Sequence, residues 1–91
     1  MAYALEVREH LDRLFRKLAK KDPVAHEAVE RKTLKILEAP YAFEPLRAPM
    51  QWKRHVHIMG SFVLVYSIDE ARKTVVLEDY GHHDKIYRKP R

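Results

Sequence analysis

Three prolines in close succession, Pro40, Pro45 and Pro49, divide this chain into halves with different hydrophobic periods. Each ring fixes its own φ and drives the preceding residue out of the helical region, so no helix runs through residues 39–51. An ordered loop is expected there. Before it, apolar residues recur at helical spacing; after it, they alternate or run on without a break. At 91 residues the chain is long enough for one core and too short for two, so helices and strands must share it. The expected fold class is α+β, a single domain over residues 1–91 with two N-terminal helices packed on one face of an antiparallel sheet.

Local patterns give the elements. Tyr3, Leu5 and Val7 alternate as in a half-buried strand. From His10 the period lengthens: Leu11, Leu14, Phe15 and Leu18 form an apolar stripe opposite Asp12, Arg13, Arg16 and Lys17. Asp22-Pro23 reads as an N-cap followed by proline at the first helical position, and Val29, Thr33, Ile36 and Leu37 carry a second stripe to about Glu38. Beyond the loop, Val56 and Ile58 alternate with His55 and His57, which therefore share a face. Met59-Gly60-Ser61 is a turn, and residues 62–68 are apolar at both phases, as in a central strand covered on both sides. Residues 69–73 make a hairpin loop, residues 74–78 the last strand, and the chain is expected to leave the sheet through Gly81. The order is β-α-α-β-β-β, with the partner of the first strand left open.

Composition narrows the function. Eighteen Lys and Arg against 13 Asp and Glu give a formal charge of +5, which favours an anionic partner such as nucleic acid. With no cysteine, a disulfide scaffold, a thiolate metal site and a cysteine nucleophile are excluded, and a cytoplasmic location fits. The apolar run over residues 62–68 is too short to span a bilayer, and the first residues hold neither a basic region nor a cleavable apolar run. A soluble, intracellular chain without a membrane partner is expected.

Chemistry then falls to histidine and its basic and aromatic neighbours. His57 and one of His82 and His83 are expected to face a common groove, where imidazole suits proton transfer near neutral pH. His55 and His82 read first as solvated strand residues. A His-x-His strand with a third histidine also has the makings of a zinc site, but no carboxylate is placed to orient the rings, and no metal or cofactor is expected. Lys53, Arg54 and the adjacent His55, with Arg47, Lys85, Arg88, Lys89 and Arg91, are the candidates to line a groove for an RNA backbone. Arg13, Arg16, Lys17, Lys20 and Lys21 read as the solvated face of the first helix. Trp52, Tyr80 and Tyr87 are candidate platforms for unpaired bases, and Trp52 fits a core anchor equally well.

Several segments resemble a known family. Pro45-Leu46 followed by Trp52-Lys53-Arg54-His55-Val56-His57-Ile58, the run Gly60-Ser61-Phe62-Val63-Leu64-Val65-Tyr66, and the ending Gly81-His82-His83-Asp84-Lys85-Ile86-Tyr87 are similar to the RelE/ParE superfamily of type II toxins. The YafQ-like branch of RelE is the nearest in pattern. The likeness covers nearly the whole chain, and its specific half follows Pro45. It implies a RelE-like fold and a small cytoplasmic toxin that enters the ribosomal A site and cuts translated mRNA. A cognate RelB-like antitoxin would hold it inactive by covering the basic groove with a helical, acidic segment. The chemistry so implied needs no metal: the substrate's 2′-hydroxyl attacks the adjacent phosphorus as a base takes its proton, and an acid protonates the leaving 5′-oxygen.

Residue by residue, His57 falls at the branch's strand histidine, His83 at its histidine after the glycine, and Tyr87 at its aromatic four positions on. Glu44 stands where the branch has a histidine, Ser61-Phe62 where it has Asp-Trp, and Val63 where the RelE type has an arginine. The resemblance therefore implies His83 as general acid and His57 or Glu44 as general base, with the reverse assignment equally consistent. Lys53 and Arg54 would hold phosphate, and Tyr87 would stack on a base. Two alternatives stay open: a non-catalytic ParE-like gyrase poison, and an RNA- or ribosome-binding module without catalysis.

Overall fold

Asp22 ends one helix and begins the next. Its backbone N–H bonds the Leu18 carbonyl at 2.8 Å, closing α1 (Glu9–Lys21), and its side chain accepts from the Ala25 N–H at 3.1 Å, capping α2 (Pro23–Glu38). Pro23 occupies the first turn of α2, where its missing N–H has no intrahelical role. The computed structural model describes residues 2–88. The remaining elements are β1 (Ala4–Val7), β2 (Lys53–Ile58), β3 (Phe62–Asp69), β4 (Thr74–His82) and α3 (His83–Arg88). Among the described residues no helix is long and apolar enough to cross a membrane.

The strands form one sheet in the order β1-β4-β3-β2. β2, β3 and β4 are the expected antiparallel meander, but β1 joins β4 in parallel, so the sheet is mixed rather than antiparallel throughout. The reason lies at the other edge. β2 is already engaged by the loop, through a Pro45–Arg54 bridge and the hydrogen bonds Leu46 N–H to Lys53 O (2.8 Å) and His55 N–H to Glu44 O (3.0 Å). A meander has two free edges, and the first strand takes the one left open, β4.

Leu11, Val29 and Ile36 from the helices meet Val56, Ile58, Leu64, Tyr66, Val75, Leu77 and Tyr80 from one sheet face in a single core. The expected double burial of β3 holds: Leu64 and Tyr66 face that core, while Val63 and Val65, at the alternate positions, are also buried. Met59 and Gly60 both adopt positive φ, 50° and 84°, which suits a tight β2–β3 hairpin turn and explains a glycine there.

The C-terminal end departs from expectation. β4 does not stop at Glu78 but runs on to His82, pairing Gly81 with Val63 and His82 with Phe62. A bulge makes the extension fit: Val65 pairs with Asp79 and Tyr66 with Leu77, leaving Glu78 as the extra residue, held by Arg8 (3.1 Å) and by the Ser67 hydroxyl (2.6 Å). The chain then folds back as α3, whose Ile86 Cδ1 lies 3.6 Å from where a Cβ on Gly81 would stand. The chain does leave β4 just past Gly81, and it does so into a short helix that covers part of the sheet face opposite α1 and α2.

Three substitutions test this frame. Leu64→Ala, at a fully buried position of the central strand, should lower the unfolding free energy in urea by about 2–5 kcal/mol. Asp22→Ala should lower it by about 1 kcal/mol through loss of the cap. Leu34→Ala, 65% exposed, should change it by no more than about 0.5 kcal/mol.

Candidate active site

Strand alternation separates the functional side chains from the core. In β2, Val56 and Ile58 enter the helix-side core, so Lys53, His55 and His57 project from the opposite face. The 44–50 segment, bonded to the β2 edge, borders that face on one side, and α3, which packs on β4 and β3, borders it on the other. Between them lies a cavity of about 570 Å³, lined by Glu44, Arg47, Met50, Lys53, His55, Asp79 and Tyr87, with Val65 and Ile86 also in its wall.

His55 sits at the centre of this arrangement. Its ring lies edge-on to His57 (5.9 Å between centroids) and to Tyr87 (5.8 Å). Nδ1 is buried and has no hydrogen-bond partner among the described residues. Burial, and then the neighbouring His57, lower its pKa below the ordinary imidazole value, with Glu44 pulling the other way. At neutral pH the ring is therefore neutral, with an unused polar nitrogen inside a groove that also holds two cations. The structure thus moves His55 from a solvated strand position to the best-placed imidazole of the groove.

His83 and Tyr87 are four residues apart on α3 and share one flank of it, as His55 and His57 share one face of β2. Tyr87 meets His55, while the His83 N–H bonds the Ser61 carbonyl (2.9 Å) in the turn that follows His57. Tyr87 thus faces His55, and His83 begins α3 beside the β2–β3 turn. His83 Nδ1 lies 2.9 Å from Asp84 Oδ1, and its ring packs against His82 (4.4 Å). Burial and Glu44 raise the Tyr87 pKa, so its hydroxyl keeps its proton.

Other expected residues scatter. Glu44 and Arg47 are exposed on the loop wall. Trp52, 58% exposed, is not a core anchor; its ring lies under the Lys53 ammonium at 4.8 Å and is open to a base. Tyr80 is no stacking platform, being 7% exposed and packed between Phe15 and Phe62 on the core side. Arg54 is not in the groove: strand alternation turns it to the opposite face, where it bonds the Phe43 carbonyl at 2.5 Å. Lys85 is exposed on α3 outside the cavity lining. The Arg88 side chain, Lys89 and Arg91 lie outside the described residues. Among the described residues, the histidines close enough to share a metal with a carboxylate are His82 and His83, with Asp84, rather than His55 and His57.

Sequence reading missed Asp79 in the groove floor. Counting by twos from Val75 and Leu77 puts residue 79 on the core side, but the extra residue at the bulge reverses the alternation and sends Asp79 to the groove and Tyr80 to the core.

The His55 environment yields a titration test. In an NMR pH titration His55 should have its midpoint below the ordinary imidazole value; Glu44→Gln should lower it further and His57→Gln should raise it. Because the folded-state pKa is depressed, the stability linked to His55 is fully present above the unfolded value of about 6.5 and is lost as pH falls toward the folded one.

No family model matches the chain. Two archaeal relatives do. An uncharacterised protein of Methanosarcina mazei is 51% identical over 85 residues, covering 93% of this chain and 99% of the relative. A protein of Methanocaldococcus jannaschii named "Putative toxin RelE4" is 40% identical over 87 residues, covering 96% and 93%. In fold, the chain matches a structure of the intact Escherichia coli RelBE toxin-antitoxin complex at a TM-score of 0.75 and 24% identity, over 89% of this chain and 96% of that one. A relative this similar along nearly the whole length, joined to a shared fold, establishes that the chain belongs to the RelE toxin family.

Proposed function

We propose that this chain is the toxin of a type II toxin-antitoxin pair, that it cuts mRNA on the ribosome in the cytoplasm, and that the groove between the 44–50 segment and α3 is its active site. The observation that carries this reading is the meeting of Lys53 and Arg47 with a neutral, half-buried His55 whose Nδ1 has no hydrogen-bond partner among the described residues. Such a groove holds a phosphate by its cations and offers a hydrogen-bonding nitrogen to the group that reacts. The exposed Trp52 ring under Lys53 and the Tyr87 ring, 40% exposed, add stacking surfaces for unpaired bases.

In-line cleavage needs a base and an acid on opposite sides of the phosphorus. The 2′-oxygen gives its proton to the base as it bonds phosphorus, the P–O5′ bond breaks, and the acid protonates the departing 5′-oxygen, leaving a cyclic phosphate and a 5′-hydroxyl. The candidates are Glu44, in the cavity lining on the loop wall, and His57, exposed on β2 next to His55, for the base, and His83 at the start of α3, outside the lining, for the acid. Lys53 and Arg47 stabilise the charge on the non-bridging oxygens. Val63, buried where the RelE type carries an arginine, supplies no charge, which leaves that work to these two cations.

An antitoxin partner is supported by the E. coli RelE-fold structure solved as a RelBE toxin-antitoxin complex. For this chain, with its charge of +5, an acidic segment laid across the groove would compete directly with RNA.

The test is cleavage in a reconstituted translation reaction with the 5′ ends of the products mapped. The wild-type chain should cut within translated codons. His83→Ala should reduce the rate by about 10²-fold or more, the usual scale for removing a general acid or base, while remaining folded. Absence of cuts from folded wild-type protein would overturn the nuclease reading and direct the next assay to DNA gyrase.

A further inference from the structure

Between Lys53 and His55, which face the groove, Arg54 turns to the other side of the sheet. Its Nη1 donates to the Phe43 carbonyl at 2.5 Å and reaches the Tyr41 carbonyl at 3.5 Å, and the guanidinium lies 5.1 Å from the centroid of the Tyr41 ring. It makes no ion pair with a carboxylate among the described residues. A half-buried guanidinium whose donors go to backbone carbonyls is fixing a stretch of chain.

That stretch is held from other directions as well. The Tyr41 hydroxyl donates to Glu70 at 2.6 Å, and Glu70 also takes the Tyr3 hydroxyl and the Lys73 ammonium. The Tyr66 hydroxyl donates to the Pro40 carbonyl at 2.6 Å. Residues 40, 41 and 43 are thereby tied to three different strands or their connections, and the next residue is Glu44, whose carbonyl accepts from the His55 N–H.

We propose that Arg54 is a positioning residue: from the core side of the sheet it clamps the Tyr41 and Phe43 carbonyls and so holds the Glu44–Arg47 wall of the groove at a set distance from Lys53 and His55. Its structural half stands on these contacts alone, and its catalytic half rests on the nuclease reading above. A wall displaced by even about 1 Å costs on the order of 10²-fold in rate when a reacting group sits on it.

The experiment compares Arg54→Met and Arg54→Lys with Lys53→Ala in the full chain. Amide hydrogen exchange reads the clamp without reference to activity. Arg54→Met should speed exchange at the His55 and Leu46 amides, which bond Glu44 and Lys53 carbonyls, and Arg54→Lys should restore part of the protection. Single-stranded RNA binding at several salt concentrations separates positioning from contact. Lys53→Ala should make the log–log slope shallower by about 0.7, the share of one phosphate, while Arg54→Met, compared in the Arg47→Ala background so that a displaced wall carries no cation away, leaves it unchanged. In the cleavage assay Arg54→Met should lower kcat tenfold or more with little change in KM. Glu44→Gln added to it should cost less than it does alone, since both act through one wall.

In the Arg47→Ala background, a slope that falls with Arg54→Met as far as Lys53→Ala lowers it would make Arg54 a phosphate contact and overturn the proposal. Unchanged exchange at His55 and Leu46 would do the same. Should Arg54→Met fail to fold, Tyr41→Phe, which removes only the hydroxyl on Glu70, carries the test and should move exchange and kcat in the same direction to a smaller extent. If the wild-type chain cuts no RNA, the nuclease reading falls while the exchange result still decides the clamp.

Discussion

Two backbone hydrogen bonds, His55 N–H to Glu44 O and Leu46 N–H to Lys53 O, determine more of this molecule than any side chain does. They close the proline-broken loop onto the edge of β2, which would otherwise present a row of unpaired donors and acceptors. With that edge occupied, β4 is the edge left to β1, which pairs with it in parallel. The same two bonds carry Glu44 and Arg47 to the strand that holds Lys53 and His55. Edge protection and site construction are one event. The prolines make it possible, since a loop that cannot become helical remains free to run alongside a strand.

The two faces of the sheet then divide the labour. On one, Tyr80 lies edge-on to Phe15 and stacked on Phe62 over the aliphatic core, with ring centroids 5.7 and 5.5 Å apart. On the other, two valines of β3 are buried and the ionisable residues stand around them. The buried Glu78 at the bulge shows how a charge is accommodated between these regimes. Burial pushes its carboxyl up, but the Arg8 guanidinium and the Ser67 hydroxyl more than compensate, and it ends below the usual carboxylate value. A negative group fixed there holds the bulge open, and the bulge aims Asp79 into the groove.

Much of this was legible in the sequence because the signals were local. Both helices, the Asp22-Pro23 junction, the shared face of His55 and His57 and the double burial of β3 all follow from periods and caps that need no distant partner. The parts that were not legible depend on contacts between remote segments. Nothing within Thr74–His82 announces a bulge, because the extra residue is an ordinary glutamate whose reason for being there is Arg8, seventy positions away. Arg54 read as a phosphate ligand because charge is visible in a sequence and the destination of a side chain is not. Tyr80 read as a base platform for the same reason, and His55 as solvated because burial by α3 required α3 to fold back.

The groove's two walls are held in different ways, and that difference bears on which residues can do chemistry there. The loop wall is fixed by backbone pairing to β2, by Arg54, and by the Tyr66 and Tyr41 hydroxyls. Glu70, with its pKa held down at about 2 by Lys73, Tyr41 and Tyr3, stays ionised at any physiological pH, so this anchorage does not titrate away. The α3 wall rests on less: the His83 N–H on Ser61, Ile86 beside Gly81, and the edge of Tyr87 against His55. A base must meet the 2′-hydroxyl at hydrogen-bond distance before any bond changes, so it gains most from a rigid mount, whereas an acid acts on an oxygen that moves away as the P–O bond lengthens. Under the nuclease reading proposed above, that difference in mounting favours a base on the sheet and loop side, His57 or Glu44, and an acid on α3, His83.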